Sequence, residues 1–179
     1  MIYKTYYLSP IGSLTLASDG ENIVGLWLEG QKYYGGNILE EMIEKENLEI
    51  FVKTKDWLNK YFNGEKPNTS EIPLAPIGGE FRKMVWDELY KIPYGETTTY
   101  GEIGEKIAKK MNKKTMSGQA IGGAVGHNPI SIIIPCHRVV SSNGSLTGFA
   151  GGINKKIDLL KLEGVDMSNL FIPKKGTAL

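Results

Sequence analysis

The residues with the clearest capacity for chemistry surround Cys136, the only cysteine in the chain. Cys136 ends the apolar run of residues 132–135 and is followed by His137 and Arg138. A thiolate is a strong nucleophile, and neighbouring basic groups favour its formation. A buried structural cysteine has no need of a preceding proline, which fixes the backbone, or of two basic side chains after it. This setting predicts a reactive sulfur at Cys136.

Few side chains in this sequence suit a metal or a disulfide. Besides Cys136, only His127 and His137 are soft metal ligands, and they lack the paired spacing of a closed zinc site. We therefore expect no metal and no cofactor. A single cysteine cannot form an intrachain disulfide, and residues 1–5 do not open an apolar stretch long enough for a signal peptide or a membrane span. These features predict a protein of the reducing cytoplasm.

Charge is distributed unevenly along the chain, although the formal net charge is only +1. Residues 1–80 carry seven Lys/Arg and twelve Asp/Glu, whereas residues 81–179 carry fourteen and eight. A basic half is typical of a protein with an anionic partner, but basic clusters also arise on solvated helix ends and loops. The densest basic cluster contains Lys106, Lys109, Lys110, Lys113 and Lys114.

The first part of the chain predicts a small α/β scaffold. Residues 3–8, 13–18 and 22–28 indicate short strands separated by turn residues, and together they predict an antiparallel meander. Residues 50–62 carry a broad apolar stripe at helical spacing, and Gly64 can end that helix.

A proline-containing stretch separates this scaffold from the rest of the chain. Residues 63–79 contain Pro67, Pro73 and Pro76, which makes them the best candidate for a linker. We therefore predict an N-terminal domain with linker over residues 1–79 and a C-terminal domain over residues 80–179.

Helical patterns resume after the linker. Phe81, Val85 and Leu89 mark a helix that must stop before Pro93. Thr99 and Glu102 have the spacing of a capping box that opens the next helix.

The candidate helix of residues 117–126 is unusual because of its glycines. Each interior glycine costs about 1 kcal/mol relative to alanine. Gly118, Gly122 and Gly126 recur every four residues, so one side of the helix is almost bare backbone, while Ile121 and Val125 face the opposite way. With the preceding helix it forms a helix-turn-helix candidate whose bare face suits a nucleic-acid groove. Close packing against another helix is equally compatible with the residues alone.

Three segments together resemble the methylated-DNA–protein-cysteine methyltransferases, also called O6-alkylguanine-DNA alkyltransferases. They are residues 122–129 (GGAVGHNP), 134–140 (IPCHRVV) and 148–152 (GFAGG). The Pro-Cys-His-Arg-Val core is the most specific of these signatures. The resemblance is clearest over residues 81–164, and residues 1–80 match more loosely.

The resemblance implies an α+β protein. Its small N-terminal α/β domain would have an antiparallel sheet and a ribonuclease H-like core, and its helical C-terminal domain would hold the helix-turn-helix and the active site. The implied partner is double-stranded DNA, bound through the minor groove by a monomer that flips the damaged base out of the stack. The implied function is DNA repair by irreversible, stoichiometric transfer of the alkyl group of O6-alkylguanine to Cys136.

The resemblance also implies a role for each catalytic residue. Cys136 would be the nucleophile, and His137 would take its proton through a bridging water while Glu163 holds His137. Tyr100 would assist rotation of the target phosphate and donate a proton to guanine, and Asn128 would brace the active-site loop. The water agrees with our expectation that residues 136 and 137, as neighbours in an extended segment, point to opposite sides. Taken singly, His137 and Glu163 are also compatible with an ordinary buried histidine and a surface carboxylate.

Further residues would form the substrate pocket and the DNA-binding surface. The implied pocket residues are Val125, Val139, Phe149 and Ala150. The implied DNA-binding residues are Gln119, which would insert into the base stack, Gly118, Ala120, Gly122 and Gly123, with Arg138 either structural or close to DNA. Many family members have arginine at the position of Gln119, so phosphate attraction and stacking should be weaker here.

Two other functions remain open at this stage. A non-catalytic lesion-binding protein of the same fold usually has tryptophan in place of the cysteine, and Cys136 argues against it. A cysteine hydrolase would require a histidine in contact with the thiol, for which His127 is a candidate, and an oxyanion hole. The sequence leaves open the range of alkyl groups and whether O4-alkylthymine is accepted. We also expect Lys174 and Lys175, in the tail of residues 173–179, to add modest DNA affinity.

Overall fold

The computed structural model describes residues 1–174, so Lys175 and residues 176–179 of the predicted tail lie outside the described residues. The chain divides into two compact units. Unit 1 contains residues 1–78 together with 129–133, and unit 2 contains residues 79–128 and those from 134 onward. The division into domains at residues 79 and 80 stays a prediction. That prediction did not include the return of residues 129–133 to unit 1.

Unit 1 is built on a four-stranded sheet. Strands β1 (Ile2–Ser9), β2 (Gly12–Ser18) and β3 (Ile23–Leu28) form the expected antiparallel meander. Gly12 has φ of 113°, a conformation that glycine adopts without strain, and it permits the tight connection between the first two strands. The strand order is β3-β2-β1-β4, where β4 (Met42–Glu44) runs parallel to β1 and was not predicted.

Helix α1 (Glu49–Phe62) packs against β1 and β2 through its buried aromatic and aliphatic side chains. The chain leaves α1 at Gly64, which has a left-handed φ of 81°. The stretch predicted as a linker is then held along the edge of β3, because Ile23 donates to the Pro73 carbonyl at 2.9 Å and Ala75 donates to the Ile23 carbonyl at 2.9 Å. Two backbone hydrogen bonds of a strand edge hold this part of the stretch within unit 1.

Residues 129–133 complete unit 1 beside the same strand. Leu26 donates to the Pro129 carbonyl at 2.8 Å, and Ser131 donates to the Leu26 carbonyl at 3.0 Å. Ile130, Ile132 and Ile133 are buried. This apolar segment precedes the cysteine in sequence, and its burial explains why the sequence is so hydrophobic up to that point.

Unit 2 is mainly helical. Its helices are α2 (Glu80–Tyr90), α3 (Tyr100–Lys110), α4 (Gly118–Gly126) and α5 (Ile153–Leu162). Two short parallel strands, β5 (Thr98–Thr99) and β6 (Val139–Val140), pair with each other. None of the helices within residues 1–174 has both the length and the apolar character to cross a membrane. A sheet unit followed by a helical unit confirms the predicted α+β class.

The start of α3 only partly follows the predicted capping box. Thr99 caps the helix as expected, since its hydroxyl oxygen accepts from the backbone N–H of Glu102 at 3.1 Å. The Glu102 carboxylate accepts instead from the hydroxyl of Thr98 at 2.5 Å. Half of the box is therefore formed, and it still places Tyr100 in the first turn of α3.

A buried carboxylate ties α2 to α3. Glu88 lies in α2 with a side chain that is 5% exposed, and its Oε1 accepts from Lys110 at 2.6 Å and from Lys91 at 3.0 Å. Lys110, a member of the basic cluster, therefore helps to hold α2 and α3 together. The other four lysines of the cluster are exposed on the surface of unit 2.

Candidate active site

Cys136 opens a single 3-10 turn that runs from Cys136 to Arg138. The expectation of an extended segment at this point is therefore wrong. A 3-10 turn has three residues per turn, so neighbouring side chains lie about 120° apart and not on opposite sides. Cys136 is 5% exposed, and its backbone N–H donates to the Ile134 carbonyl at 2.8 Å. The side chains of His137 and Arg138, which follow Cys136 in this turn, both reach Glu163.

Asn128 holds the backbone just before the cysteine. It lies two residues after the end of α4, is 3% exposed, and donates from Nδ2 to the Ile134 carbonyl at 2.7 Å. That carbonyl also accepts the Cys136 N–H, so one oxygen carries both bonds. The end of α4 is thus linked to the cysteine turn by a buried side chain.

His137 and Glu163 form a buried pair. His137 Nε2 lies 2.6 Å from Glu163 Oε2, and both side chains have 0% exposure. Because an ionised carboxylate can only accept, Nε2 carries the proton and donates it. In neutral His137, the other ring nitrogen, Nδ1, is then an acceptor, and it has no hydrogen-bond partner within residues 1–174.

Glu163 accepts from two further donors of unit 2. Arg138 donates from Nε to Oε1 at 2.7 Å and from Nη2 to Oε2 at 3.0 Å, a two-point contact. The backbone N–H of Gly95 donates to Oε1 at 3.1 Å. Arg138 also donates from Nη1 to the Ile92 carbonyl at 2.6 Å and is 6% exposed. The guanidinium is therefore engaged in the interior of unit 2.

These contacts determine the protonation of the pair. Burial alone would raise the pKa of Glu163, but the hydrogen bonds and charges of His137 and Arg138 outweigh it and hold that pKa well below its usual range. Burial lowers the pKa of His137, and the charges of Arg138 and Lys156 lower it further against the opposing effect of Glu163. At neutral pH the carboxylate is charged and the imidazole is neutral.

Tyr100 reaches the loop that precedes Phe149. Its hydroxyl donates to the Thr147 carbonyl at 3.0 Å, and the Gly148 carbonyl lies 3.3 Å away. A Cβ on Gly148 would stand 2.2 Å from the Tyr100 oxygen, and Gly148 has φ of 92°, so only glycine fits there. Burial raises the pKa of Tyr100, and the nearby Cys136 raises it further, so its hydroxyl stays protonated.

Lys156 is a member of the site that the sequence analysis missed. Its side chain has no exposed surface, and Nζ donates to the Val139 carbonyl at 2.5 Å and to the Thr147 carbonyl at 3.1 Å. Burial lowers the pKa of Lys156 to about 8, although the charge of Cys136 opposes that change. Its position on α5, three and four residues before the buried Leu159 and Leu160, was the available signal.

The predicted pocket residues are mostly buried in unit 2. Val125 and Val139 are 1% and 0% exposed, Phe149 is 7% exposed, and Ala150 is half-buried. Phe149 meets the ring of His137 edge to face, with ring centroids 6.5 Å apart. Within residues 1–174, no three His, Cys, Asp or Glu side chains form a cluster that could hold a metal ion.

The glycines of α4 face open space. A Cβ on Gly118, Gly122, Gly123 or Gly126 would meet no atom within 4 Å. At these four positions the bare face therefore packs against no other described element of unit 2. Ile121 and Val125 are buried on the other side, as predicted, and Gln119 and Gly123 are exposed.

Both ends of α4 are held firmly. Ser117 caps its start, since the hydroxyl oxygen accepts from the Ala120 N–H at 3.3 Å. Trp86 of α2 donates from its indole to the Ala124 carbonyl at 2.8 Å, and His127 Nδ1 lies 2.7 Å from the Gly123 carbonyl. These contacts satisfy carbonyls in the last turns of a helix whose composition makes it intrinsically weak.

Two family models cover most of the sequence. Residues 2–76 match the ribonuclease-like domain of 6-O-methylguanine DNA methyltransferase, and residues 80–165 match its DNA-binding domain. The methylated-DNA–protein-cysteine methyltransferase of Haemophilus influenzae is 43% identical over 164 residues, which are 92% of this chain and 87% of that protein. That of Methanosarcina acetivorans is also 43% identical over 164 residues, 91% of this chain and 99% of its own.

The chain belongs to the methylated-DNA–protein-cysteine methyltransferase family.

A solved structure supports the same assignment. The crystal structure of Mycobacterium tuberculosis OGT in complex with DNA is similar to this methyltransferase family member with a TM-score of 0.77 and 38% identity, and the match covers 94% of each chain. The family and the fold class predicted from the sequence are thus confirmed. The roles of the individual site residues remain predictions, although the structure defines the contacts of these residues.

Proposed function

We propose that the protein repairs DNA by transferring the alkyl group of O6-alkylguanine to Sγ of Cys136 in a single irreversible turnover. Family membership and the DNA-binding domain match support DNA as the partner. The observation that carries the proposal is the buried pair of His137 and Glu163, in which His137 follows Cys136 in the same 3-10 turn. This pair leaves an acceptor nitrogen, Nδ1, within the active-site region.

The proposed reaction begins with activation of the thiol. A bridging water passes the proton of Cys136 to His137 Nδ1, which gives a thiolate and an imidazolium. Near pH 7 only a few per cent of an ordinary thiol with a pKa of about 8.5 is ionised, so this transfer matters for rate. Glu163 stabilises the imidazolium through the 2.6 Å contact to Nε2. The buried ammonium of Lys156 further favours the thiolate.

The transfer itself is an in-line displacement. The thiolate electron pair forms the new sulfur–carbon bond, the carbon–O6 bond breaks, and its electrons stay on the guanine, which takes up a proton. We assign the donation of that proton to the Tyr100 hydroxyl, which is protonated before the transfer because of its raised pKa. The tyrosinate that this leaves is neutralised by the proton that His137 took from Cys136. The product is a thioether on Cys136 and a restored guanine. No other thiol is present to regenerate Cys136, so each molecule reacts once.

The DNA contact is assigned to α4. The minor groove is only about 6 Å wide, and a helix without side chains on one face can approach it closely. The four glycines that face open space have no structural need within unit 2 to be glycine, which supports this use of the bare face. Gln119 is exposed at the start of α4, where it can fill the gap left by a flipped base.

The loop of residues 147–150 is assigned to the target base. Tyr100 and Lys156 both donate to the Thr147 carbonyl, so the loop backbone is fixed from two sides. Phe149 provides an apolar surface next to His137. Asn128 is assigned to bracing the cysteine turn through the Ile134 carbonyl. We also propose that the protein acts as a monomer in the cytoplasm, where its only thiol stays reduced.

The experiment that tests this function counts repaired bases. A duplex with one O6-methylguanine is titrated with protein, and restored guanine is quantified after enzymatic digestion of the DNA. The expected plateau is one guanine per protein molecule, and Cys136→Ala should bind the duplex but restore none. Several guanines per molecule would indicate a catalyst with turnover. Tight binding without any restored guanine would indicate a lesion-binding protein instead.

A further inference from the structure

We propose that Arg138 is a positioning residue of the alkyl transfer, because its guanidinium compensates the charge of Glu163 and thereby keeps His137 neutral and able to accept a proton. This inference rests on the proposed function, in which His137 is the acceptor. Arg138 itself does not touch the reacting atoms in this account. It acts through the carboxylate that it shares with His137.

The contact geometry is that of a strong, directed ion pair. Two nitrogens of Arg138 meet the two oxygens of Glu163 at 2.7 and 3.0 Å, and the third donor is fixed on the Ile92 carbonyl at 2.6 Å. The ring of Tyr94 lies 5.8 Å from the guanidinium carbon. Arg138 is 6% exposed, so solvent screens this charge little. A lysine has one ammonium and cannot make the same two-point contact.

The shared oxygen explains the effect on His137. Glu163 Oε2 accepts from both His137 Nε2 and Arg138 Nη2. A buried carboxylate with no other cation strongly favours a positive imidazole next to it. His137 would then carry protons on both nitrogens, and Nδ1 would be a donor that cannot take the proton of Cys136. With the guanidinium in place, the carboxylate is already compensated and the imidazole can remain neutral.

Other ionisable groups around His137 act in the same direction or not at all. The charge of Lys156 also lowers the pKa of His137, which adds to the effect of Arg138. Tyr94 and Tyr100 both have raised pKa values and are uncharged at neutral pH. A Cys136 thiolate forms only after the proton has left. Glu163 is therefore the anion that Arg138 has to balance before the reaction starts.

The test measures the ionisation of Cys136 without DNA. The rate of Cys136 alkylation by iodoacetamide, followed by intact mass, is recorded from pH 4 to 9. Loss of the guanidinium lets His137 keep its proton to higher pH, so the neutral imidazole that accepts the proton of Cys136 forms only at higher pH. The midpoint of the acid limb should therefore rise by about 1 pH unit or more in Arg138→Met. Arg138→Gln keeps a hydrogen-bond donor but no charge, and it should show the same rise. Arg82→Met removes the chain's other arginine and should leave the midpoint in place.

A double variant separates charge compensation from simple support of the fold. Arg138→Met combined with Glu163→Gln removes both charges, and the midpoint should return toward the wild-type value. A purely structural role predicts that the double variant is at least as perturbed as the single one. The proposal is overturned if neither neutral variant moves the midpoint, or if the double variant shifts as far as Arg138→Met.

Failure of the role proposed for Arg138 can be told apart from failure of the proposed function. Iodoacetamide reports on the thiol alone, whereas guanine restoration reports on transfer from DNA. Absence of restored guanine together with the predicted midpoints would overturn the function but leave the role of Arg138 intact. Normal transfer with unmoved midpoints would overturn only the role of Arg138.

Discussion

His137 Nε2 lies 2.6 Å from Glu163 Oε2, and neither side chain has exposed surface. The two residues are 26 positions apart in sequence, on a 3-10 turn and at the end of α5. This contact fixes the tautomer of the imidazole and leaves Nδ1 as its only acceptor.

Replacement of the carboxylate should damage both activity and stability. Glu163→Gln leaves the buried guanidinium of Arg138 without an anion, which costs about 3–5 kcal/mol of unfolding free energy. It also removes the charge that stabilises the imidazolium, so single-turnover guanine restoration should slow. Urea unfolding and rapid-quench kinetics measure the two effects. Asp158→Asn, an exposed change on the same helix, should alter neither, and a Glu163→Gln variant as stable as wild type would contradict the buried pair.

Acid should destabilise the folded protein in two stages. The pKa of His137 is lowered from 6.5 in the folded state, so the unfolded chain binds more protons as pH falls below about 6.5. The pKa of Glu163 is lowered from 4.5, which adds a second loss as pH falls below that value. Urea titrations followed by tryptophan fluorescence at stepwise pH should therefore show the unfolding free energy decreasing from pH 7 to 4. A constant value across this range would argue against a neutral buried His137.

Substitutions on the bare face of α4 should affect the stability of the fold and the affinity for DNA differently. Gly122→Ala should raise the unfolding free energy by up to about 1 kcal/mol, because alanine is the better helix former and its Cβ meets nothing within 4 Å. Gly122→Leu should still fold but bind duplex DNA much more weakly, as measured by fluorescence anisotropy. Gly79→Leu, at a glycine that also faces open space, is the matched control for DNA affinity. Unchanged affinity in Gly122→Leu would place the DNA elsewhere.

Gly148 should be necessary for the position of Tyr100. In Gly148→Ala, the new Cβ would stand 2.2 Å from the tyrosine oxygen, so the hydroxyl must move and guanine restoration should slow. Tyr100→Phe removes that oxygen. In the Tyr100→Phe background, the further loss of stability caused by Gly148→Ala should be smaller, leaving mainly the strain of alanine at φ of 92°. Additive losses in this double-mutant cycle would show that the two residues do not interact.

Gln119 should limit the affinity for DNA. Gln119→Arg adds a positive charge at an exposed position near the start of α4, and it should tighten duplex binding at fixed salt and steepen the salt dependence. Gln119→Met, which has a similar length and no charge, separates the charge from the bulk of the side chain. An affinity that stays the same or falls in Gln119→Arg would count against an inserted role for this residue.

Local patterns in the sequence predicted the regular elements well. The helix predicted at residues 50–62 is observed as Glu49–Phe62, and Thr99 caps α3 as its spacing indicated. Strand β4 has three residues and the β5 and β6 strands have two each, which is too short for an alternating pattern to be visible.

The contacts of the site were less accessible to sequence reasoning. The residues in these contacts were named through a resemblance, but the bond from Arg138 to Glu163 joins positions 25 apart and follows from no periodicity. The backbone just before the 3-10 turn at Cys136 is held by two hydrogen bonds to one carbonyl, that of Ile134, which no sequence pattern reveals. Lys156 was overlooked because a lysine is rarely buried, and only its tertiary partners reveal why it is here.

The most direct test of this account is to locate the transferred group. The protein is incubated with a duplex whose O6-methylguanine carries a deuterated methyl group, and the intact mass and the digested peptides are then measured. The account predicts one labelled methyl group per molecule, found on the peptide that contains Cys136 and absent from Cys136→Ala. A label on any other residue, or an unlabelled protein after guanine has been restored, would contradict it.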